Sequence, residues 1–208
     1  MAPTVTQNAQ SQAAMTPDGA LQALMDGNQR FAENQRNPVD LLQQVEGTRN
    51  GQWPYACILG CIDSRASAEL VFDAGIGDVF SARVAGNIVN EDILGSMEFA
   101  CQVAGARLVM VLGHTACGAV KGACDGVELG NLTDLLTKIG PAVESTQTPG
   151  ERSSANGKFV QAVAEQNVAL ALSAIREKSE VLAGLEREGS IRVVGAMYDV
   201  ATGRVSLL

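Results

Sequence analysis

The sequence contains one histidine, His114, and one tryptophan, and only 4% of its 208 residues are aromatic. It is also short of positive charge: 15 Lys and Arg stand against 23 Asp and Glu, a formal net charge of -8. No basic cluster offsets that balance, which argues against nucleic acid or an anionic membrane as a partner. No apolar run approaches the length of a membrane span. Residues 1–14 lack the basic start and apolar core of a secretory signal, so a cytoplasmic location is expected, with an export signal trimmed upstream left open. Five cysteines are an odd number, which suits a reducing compartment better than a secreted disulfide framework. At 46% hydrophobic and 18% charged, the chain reads as an ordinary globular one with a single core. A flexible arm over 1–15 followed by one catalytic domain over 16–208 is the expected organisation.

What is present concentrates in two stretches, G-C-I-D-S-R at residues 60–65 and G-H-T-A-C-G at residues 113–118. Cys61, His114 and Cys117 make a set of two thiolates and one imidazole, which suits zinc. Three protein ligands leave a fourth tetrahedral position open for chemistry, whereas structural sites close with four. The H-x-x-C spacing alone is weak, since residues three apart share a helix face for many ordinary reasons. Its context is stronger. Each half follows an apolar run that reads as a buried strand, residues 55–59 and 108–112, so two parallel strands would deliver their carboxyl ends to one crevice. A core histidine beside two inert cysteines would need three coincidences. Cys57 lies on the same strand face as Cys61 but roughly 13 Å back, too far to share a metal.

Along the chain, Thr16-Pro17-Asp18 supplies an N-cap, a first-turn proline and an early acid, followed by Leu21, Leu24, Met25 and Phe31 at helical spacing. Residues 34–52 read as a polar linker. Further strands are expected at 78–84 and 191–198, with a final hairpin edge at 204–207. Helices are expected at 66–72, at 93–103 with Leu94, Met97, Phe99 and Cys101 in the core, at 117–123, at 130–143, and from 158 to 188 as a pair. This alternation predicts an α/β fold. Its mostly parallel central sheet has about four strands plus an antiparallel C-terminal edge strand, with helices on both faces and an N-terminal helical arm.

C-I-D-S-R and G-H-T-A-C-G-A-V resemble the C-x-D-S-R and G-H-x-x-C-G-A motifs of the β-class carbonic anhydrases, and the similarity runs from about Thr16 to the C-terminus. The resemblance implies a zinc enzyme for the reversible hydration of carbon dioxide to bicarbonate and a proton, by attack of hydroxide generated at the metal. It assigns Cys61, His114 and Cys117 to zinc, and Asp63 with Arg65 to a catalytic dyad. Gly118 and the small, apolar Val84, Ala85 and Gly86 become the substrate wall. It also implies self-association as a homodimer or homotetramer. Two other readings fit parts of the pattern: a related zinc hydrolase of carbon disulfide or carbonyl sulfide, and a non-catalytic structural zinc or thiol module. The latter needs neither Asp63 nor Arg65. Family members inhibited by bicarbonate carry Trp where this chain has Ile58, so an open resting site with Asp63 paired to Arg65 is expected. With His114 committed to metal, no imidazole remains to carry a proton near neutral pH.

Overall fold

The structure, a computed structural model, describes residues 6–208; residues 1–5 of the polar opening lie outside the described residues. Residues 9–14 of the expected flexible arm are helical. Helix α1 (Ala9–Ala14) is capped by Asn8, whose side chain accepts from the amides of Gln10 and Ser11. Gln12 ties it down by donating from Nε2 to the carbonyls of Pro54 and Ala104, both at 2.8 Å.

Helix α2 (Pro17–Ala32) starts as the sequence indicates, with Thr16 Oγ1 accepting from the Gly19 amide at 3.0 Å. Leu21 and Leu24 bury against Tyr55, Ala56, Ile58 and Phe72, with Met25 and Phe31 packed at the edge. The stripe therefore covers the chain's own sheet. The expected polar linker contains a third helix, α3 (Leu41–Thr48), capped by the Asp40 side chain. Its only buried residue is Gln44, while Leu41, Leu42 and Val45 are exposed. Leu41, Leu42 and Val45 do share one face at helical spacing, but that face points away from the core, so the helix stands on the surface.

Strand β1 (Ala56–Gly60), helix α4 (Ala68–Val71) and strand β2 (Val79–Arg83) follow, then a 3-10 turn at Ala85–Asn87. Helix α5 (Glu91–Glu98) runs into a π-helical turn, Phe99–Val103, which leads to strand β3 (Leu108–His114). Phe99 is 49% exposed, against its expected place in the core, because Leu94, Met97 and Cys101 share the buried face and Phe99 falls on the opposite side of the helix. The helix expected at 130–143 is two. After α6 (Gly118–Cys124), α7 (Gly130–Thr137) stops before α8 (Gly140–Ser145), where Pro141 sits in the first turn. Proline lacks the N–H needed to continue a helix but fits the start of one. Helices α9 (Gly157–Lys178) and α10 (Glu180–Arg187) precede the strands β4 (Arg192–Tyr198) and β5 (Val205–Leu207).

Among the described residues the sheet has five strands in the order β2-β1-β3-β4-β5, with β5 alone antiparallel, as the sequence indicates. β1 and β3 are buried along their whole length, because helices cover both faces. Alternate side chains divide between two cores. Cys57, Leu59, Val109 and Val111 face α9, whereas Ile58, Leu108, Met110 and Leu112 face α2. The chain passes from β1 outward to β2 and then returns to the other side of β1 for β3. The switch point therefore lies between β1 and β3, and the crevice at their carboxyl ends is where such sheets bind ligands.

Candidate metal centre

Cys61 follows the last residue of β1, His114 ends β3, and Cys117 sits at the N-cap of α6. All three are buried, at 4%, 1% and 1% exposure. Their ligand atoms lie within 4.8 Å of one another, and the two sulfurs are 4.0 Å apart. A tetrahedral zinc with ordinary zinc–sulfur bonds would place two thiolates about 3.8 Å apart, so the spacing fits. The imidazole is oriented to match. His114 Nδ1 faces the Thr115 carbonyl at 3.0 Å and donates to it, which leaves Nε2 as the bare nitrogen. Nε2 is buried with no hydrogen-bond partner among the described residues. A buried nitrogen lone pair beside two thiols is what a metal would satisfy.

The turn between the two β3-side ligands is held from several directions. Ala116 has φ 55, a left-handed conformation uncommon for a residue with a side chain. Thr115 compensates by donating its amide to Tyr198 O at 2.9 Å, while its Oγ1 accepts from the Val200 amide at 3.0 Å. The end of β4 thus braces the ligand loop.

Electrostatics favour one negative charge on the sulfur pair, placed on Cys61. Cys61 has its pKa drawn well down, first by the hydrogen bond from the Cys117 thiol, with help from His114 and the amide of Gly86. Cys117, holding the shared proton, is pushed up by Cys61 and by burial, against the opposing pull of the Val120 and Ala119 amides. Burial depresses the His114 pKa, but Cys61, the Thr115 carbonyl and Asp63 together outweigh it and the net shift is upward. By contrast Cys57 and Cys101 are inert packing: burial pushes each thiol up to about 12.

Asp63 and Arg65 meet at the mouth of the site. Arg65 donates from Nε to Asp63 Oδ1 at 2.9 Å and from Nη2 to Oδ2 at 2.7 Å, a two-pronged pairing that lysine cannot reproduce. The Arg65 amide adds a third bond to Oδ1 at 2.9 Å. These bonds hold the carboxyl well below the usual carboxylate range, with the guanidinium contact the largest cause. Asp63 Oδ2 lies 3.9 Å from His114 Nε2, so the dyad faces the ligand cluster.

The residues expected to form the substrate wall are close by. Val84 donates its amide to Gly60 O at 3.1 Å, Ala85 opens the 3-10 turn, and Gly86 donates its amide to Cys61 Sγ at 3.3 Å. Gly118 is the first residue of α6, next to Cys117, with open space where a Cβ would be.

Arg83 joins the candidate site without any motif pointing to it. Its Nε donates to Cys61 O at 2.9 Å and its Nη2 to Asp63 O at 2.6 Å, clamping the loop that carries a ligand and the dyad aspartate. The signal lies in strand register, which pairs Gly60 with Arg83, and not in any spacing visible in one stretch. Arg83→Gln should keep its metal yet lower hydration roughly 10- to 100-fold, since a displaced carboxylate costs rate steeply. Stopped-flow hydration on the metal-loaded variant checks this, and wild-type turnover would remove Arg83 from the site.

Comparison with known proteins agrees with this geometry. A family model described as carbonic anhydrase matches residues 56–205. The chain is 36% identical over 197 residues to carbonic anhydrase 2 of Mycobacterium tuberculosis, covering 92% of each. It is 32% identical over 197 residues to a carbonic anhydrase of Mycolicibacterium smegmatis, covering 92% of this chain and 93% of that one. Among solved structures, the β-carbonic anhydrase CafA of Aspergillus fumigatus superposes with a TM-score of 0.68 at 27% identity, over 92% of this chain and 89% of that one. One of two tetrameric β-carbonic anhydrases from Sordaria macrospora gives 0.66 at 25% identity, over 77% and 83%. Buried Cys-His-Cys donors, a facing Asp-Arg pair and a match across nearly the whole chain converge on one conclusion: this protein belongs to the β-class carbonic anhydrases.

Proposed function

We propose that Cys61, His114 and Cys117 hold zinc, and that Asp63 with Arg65 directs the reaction at that centre. The activity is carbonic anhydrase activity, the reversible hydration of carbon dioxide to bicarbonate and a proton. The observation that carries the site assignment is the unpartnered Nε2 of His114, buried beside two thiols and 3.9 Å from the Asp63 carboxylate. Zinc, when bound, supplies a Lewis acid that makes water a nucleophile at neutral pH. The other roles belong to the chain's own residues.

Asp63 stays ionised and can only accept hydrogen bonds, so it fixes the proton of the attacking oxygen and turns a lone pair toward carbon dioxide. Arg65 occupies both carboxylate oxygens from one side and prevents the group from rotating. Oδ2 keeps a second lone pair for the nucleophile. Val84, Ala85, Gly86 and Gly118 give an uncharged wall, suited to a substrate with almost nothing to hydrogen-bond. The same site would admit carbon disulfide or carbonyl sulfide, and stopped-flow proton release on each gas separates the readings: carbon dioxide should be turned over by far the fastest.

Each turnover releases a proton, and His114, the only histidine, is held between the Thr115 carbonyl and the metal position. Turnover should therefore climb with buffer concentration before a plateau. Rates that stay flat from low to high millimolar buffer would mean that another group carries the proton.

Self-association, as a homodimer or homotetramer, is supported by the tetrameric Sordaria relatives and by the exposed Leu41, Leu42, Phe99 and Val103. Five unpaired thiols support a reducing compartment, the cytoplasm in our reading. No helix among the described residues is long and apolar enough to cross a membrane.

A further inference from the structure

Helix α9 buries eight residues, and Asn167 is the one polar side chain among Phe159, Val160, Val163, Ala164, Val168, Ala171 and Ile175. It is 5% exposed. A buried amide is costly unless bonded, and its partner here is specific: Nδ2 donates to Gly86 O at 2.8 Å, across 81 residues of sequence. Gly86 is itself unusual. It adopts φ 68 and ψ 18, and a Cβ built on it would lie 2.6 Å from Ile139 Cδ1 and 3.4 Å from Ala119 Cβ. Only glycine fits there, and the left-handed turn aims its amide at Cys61 Sγ, 3.3 Å away.

We infer that Asn167 is a positioning residue for the metal centre: by gripping the Gly86 carbonyl it keeps the Gly86 N–H on the Cys61 thiolate. The inference rests on the reading of Cys61 as a zinc ligand and deepens it. Two thiolates give a metal more charge than imidazoles do, which blunts its power to activate water. An N–H donated to sulfur draws part of that charge away, as partners behind metal ligands commonly do. Cys117 receives the same treatment from the Ala119 and Val120 amides at the start of α6. For Cys61 no helix start is available. The fold supplies the amides of Asp63 and Gly86 instead, and the second is fixed from behind by a side chain of α9.

The test uses the full-length protein loaded with cobalt(II) in place of zinc, whose thiolate-to-metal charge-transfer band reports the donor strength of the sulfurs. Asn167→Leu removes the amide at similar volume, and Asn167→Ala serves if leucine prevents folding. Leu170→Ala is the control, because Leu170 lies on the same helix and lines the same cavity beside Ile88 without bonding Gly86. The Asn167 variants should move the band to longer wavelength and weaken zinc affinity about 10-fold in a chelator competition. Leu170→Ala should lower thermal stability and leave the band in place. An unmoved band in the Asn167 variants, or an equal shift in Leu170→Ala, would overturn the inference. If wild-type protein shows no charge-transfer band at all, the metal assignment itself fails, and this inference with it.

Discussion

His114→Ala should lose zinc and carbon dioxide hydration together, with turnover falling by about 10³-fold or more, equivalent to roughly 4 kcal/mol of barrier. The imidazole is one of three donors, and its bare Nε2 has no other partner among the described residues. Two thiolates alone leave the metal half-solvated and without the ring whose Nδ1 is locked on Thr115 O. Cys61→Ser and Cys117→Ser should behave alike, since a hydroxyl is a poor substitute for a thiolate toward zinc. Metal content by elemental analysis and stopped-flow hydration on the same sample check the result. A metal-free His114→Ala protein with full activity would sink the assignment.

Asp63→Asn should give the opposite pattern, zinc retained but hydration reduced about 10²- to 10³-fold, the usual cost of removing one oriented polar group from a reacting centre. The amide is nearly the same size, so the loop and its Arg83 clamp remain. It presents N–H donors where the carboxylate could only accept, and it loses the two-pronged hold of Arg65. The pH dependence separates this role from that of a titrating base. Arg65 holds the Asp63 pKa below the usual carboxylate range. Any stability from the pair is therefore present above about pH 3.9, the ordinary carboxylate value, and is lost only as pH falls further, through the depressed folded value. Between pH 5 and 9, roughly the working range, Asp63 does not titrate. The substitution should therefore lower the rate across the whole profile without moving its acid limb. A limb that shifts with Asp63→Asn would make the carboxylate a titrating participant.

The sequence was most readable where burial is complete. β1 and β3 have helices on both faces, so they appear as unbroken apolar runs, and the motifs sit at their carboxyl ends where the topology turns. Thr16-Pro17-Asp18 carried its own start signal, and Thr16 caps α2 as expected. Legibility failed where structure depends on distant partners or on exposed surface. α3 buries only Gln44, and its short apolar stripe of Leu41, Leu42 and Val45 sits among polar residues and faces outward. Phe99 lies across the helix from the Leu94, Met97 and Cys101 stripe and is half exposed, which an ordinary helical period already implies, so placing it in the core misread the period. Arg83 and Asn167 look ordinary in their own segments. Strand register brings the first onto Cys61 O and Asp63 O, and the packing of α9 brings the second onto Gly86. Ile58 shows both sides at once. The resemblance sets it against a Trp of bicarbonate-inhibited members three residues before Cys61, and alternation along β1 places it on the α2 face, opposite the side of the strand that carries Cys57 and Leu59.

The most direct test of the central claim is a titration of zinc into metal-free protein while carbon dioxide hydration is followed. Activity should be absent at the start, rise in proportion to added zinc and stop at one zinc per chain. Hydration before any metal is added, or a site that fills with zinc and stays inactive, would contradict it.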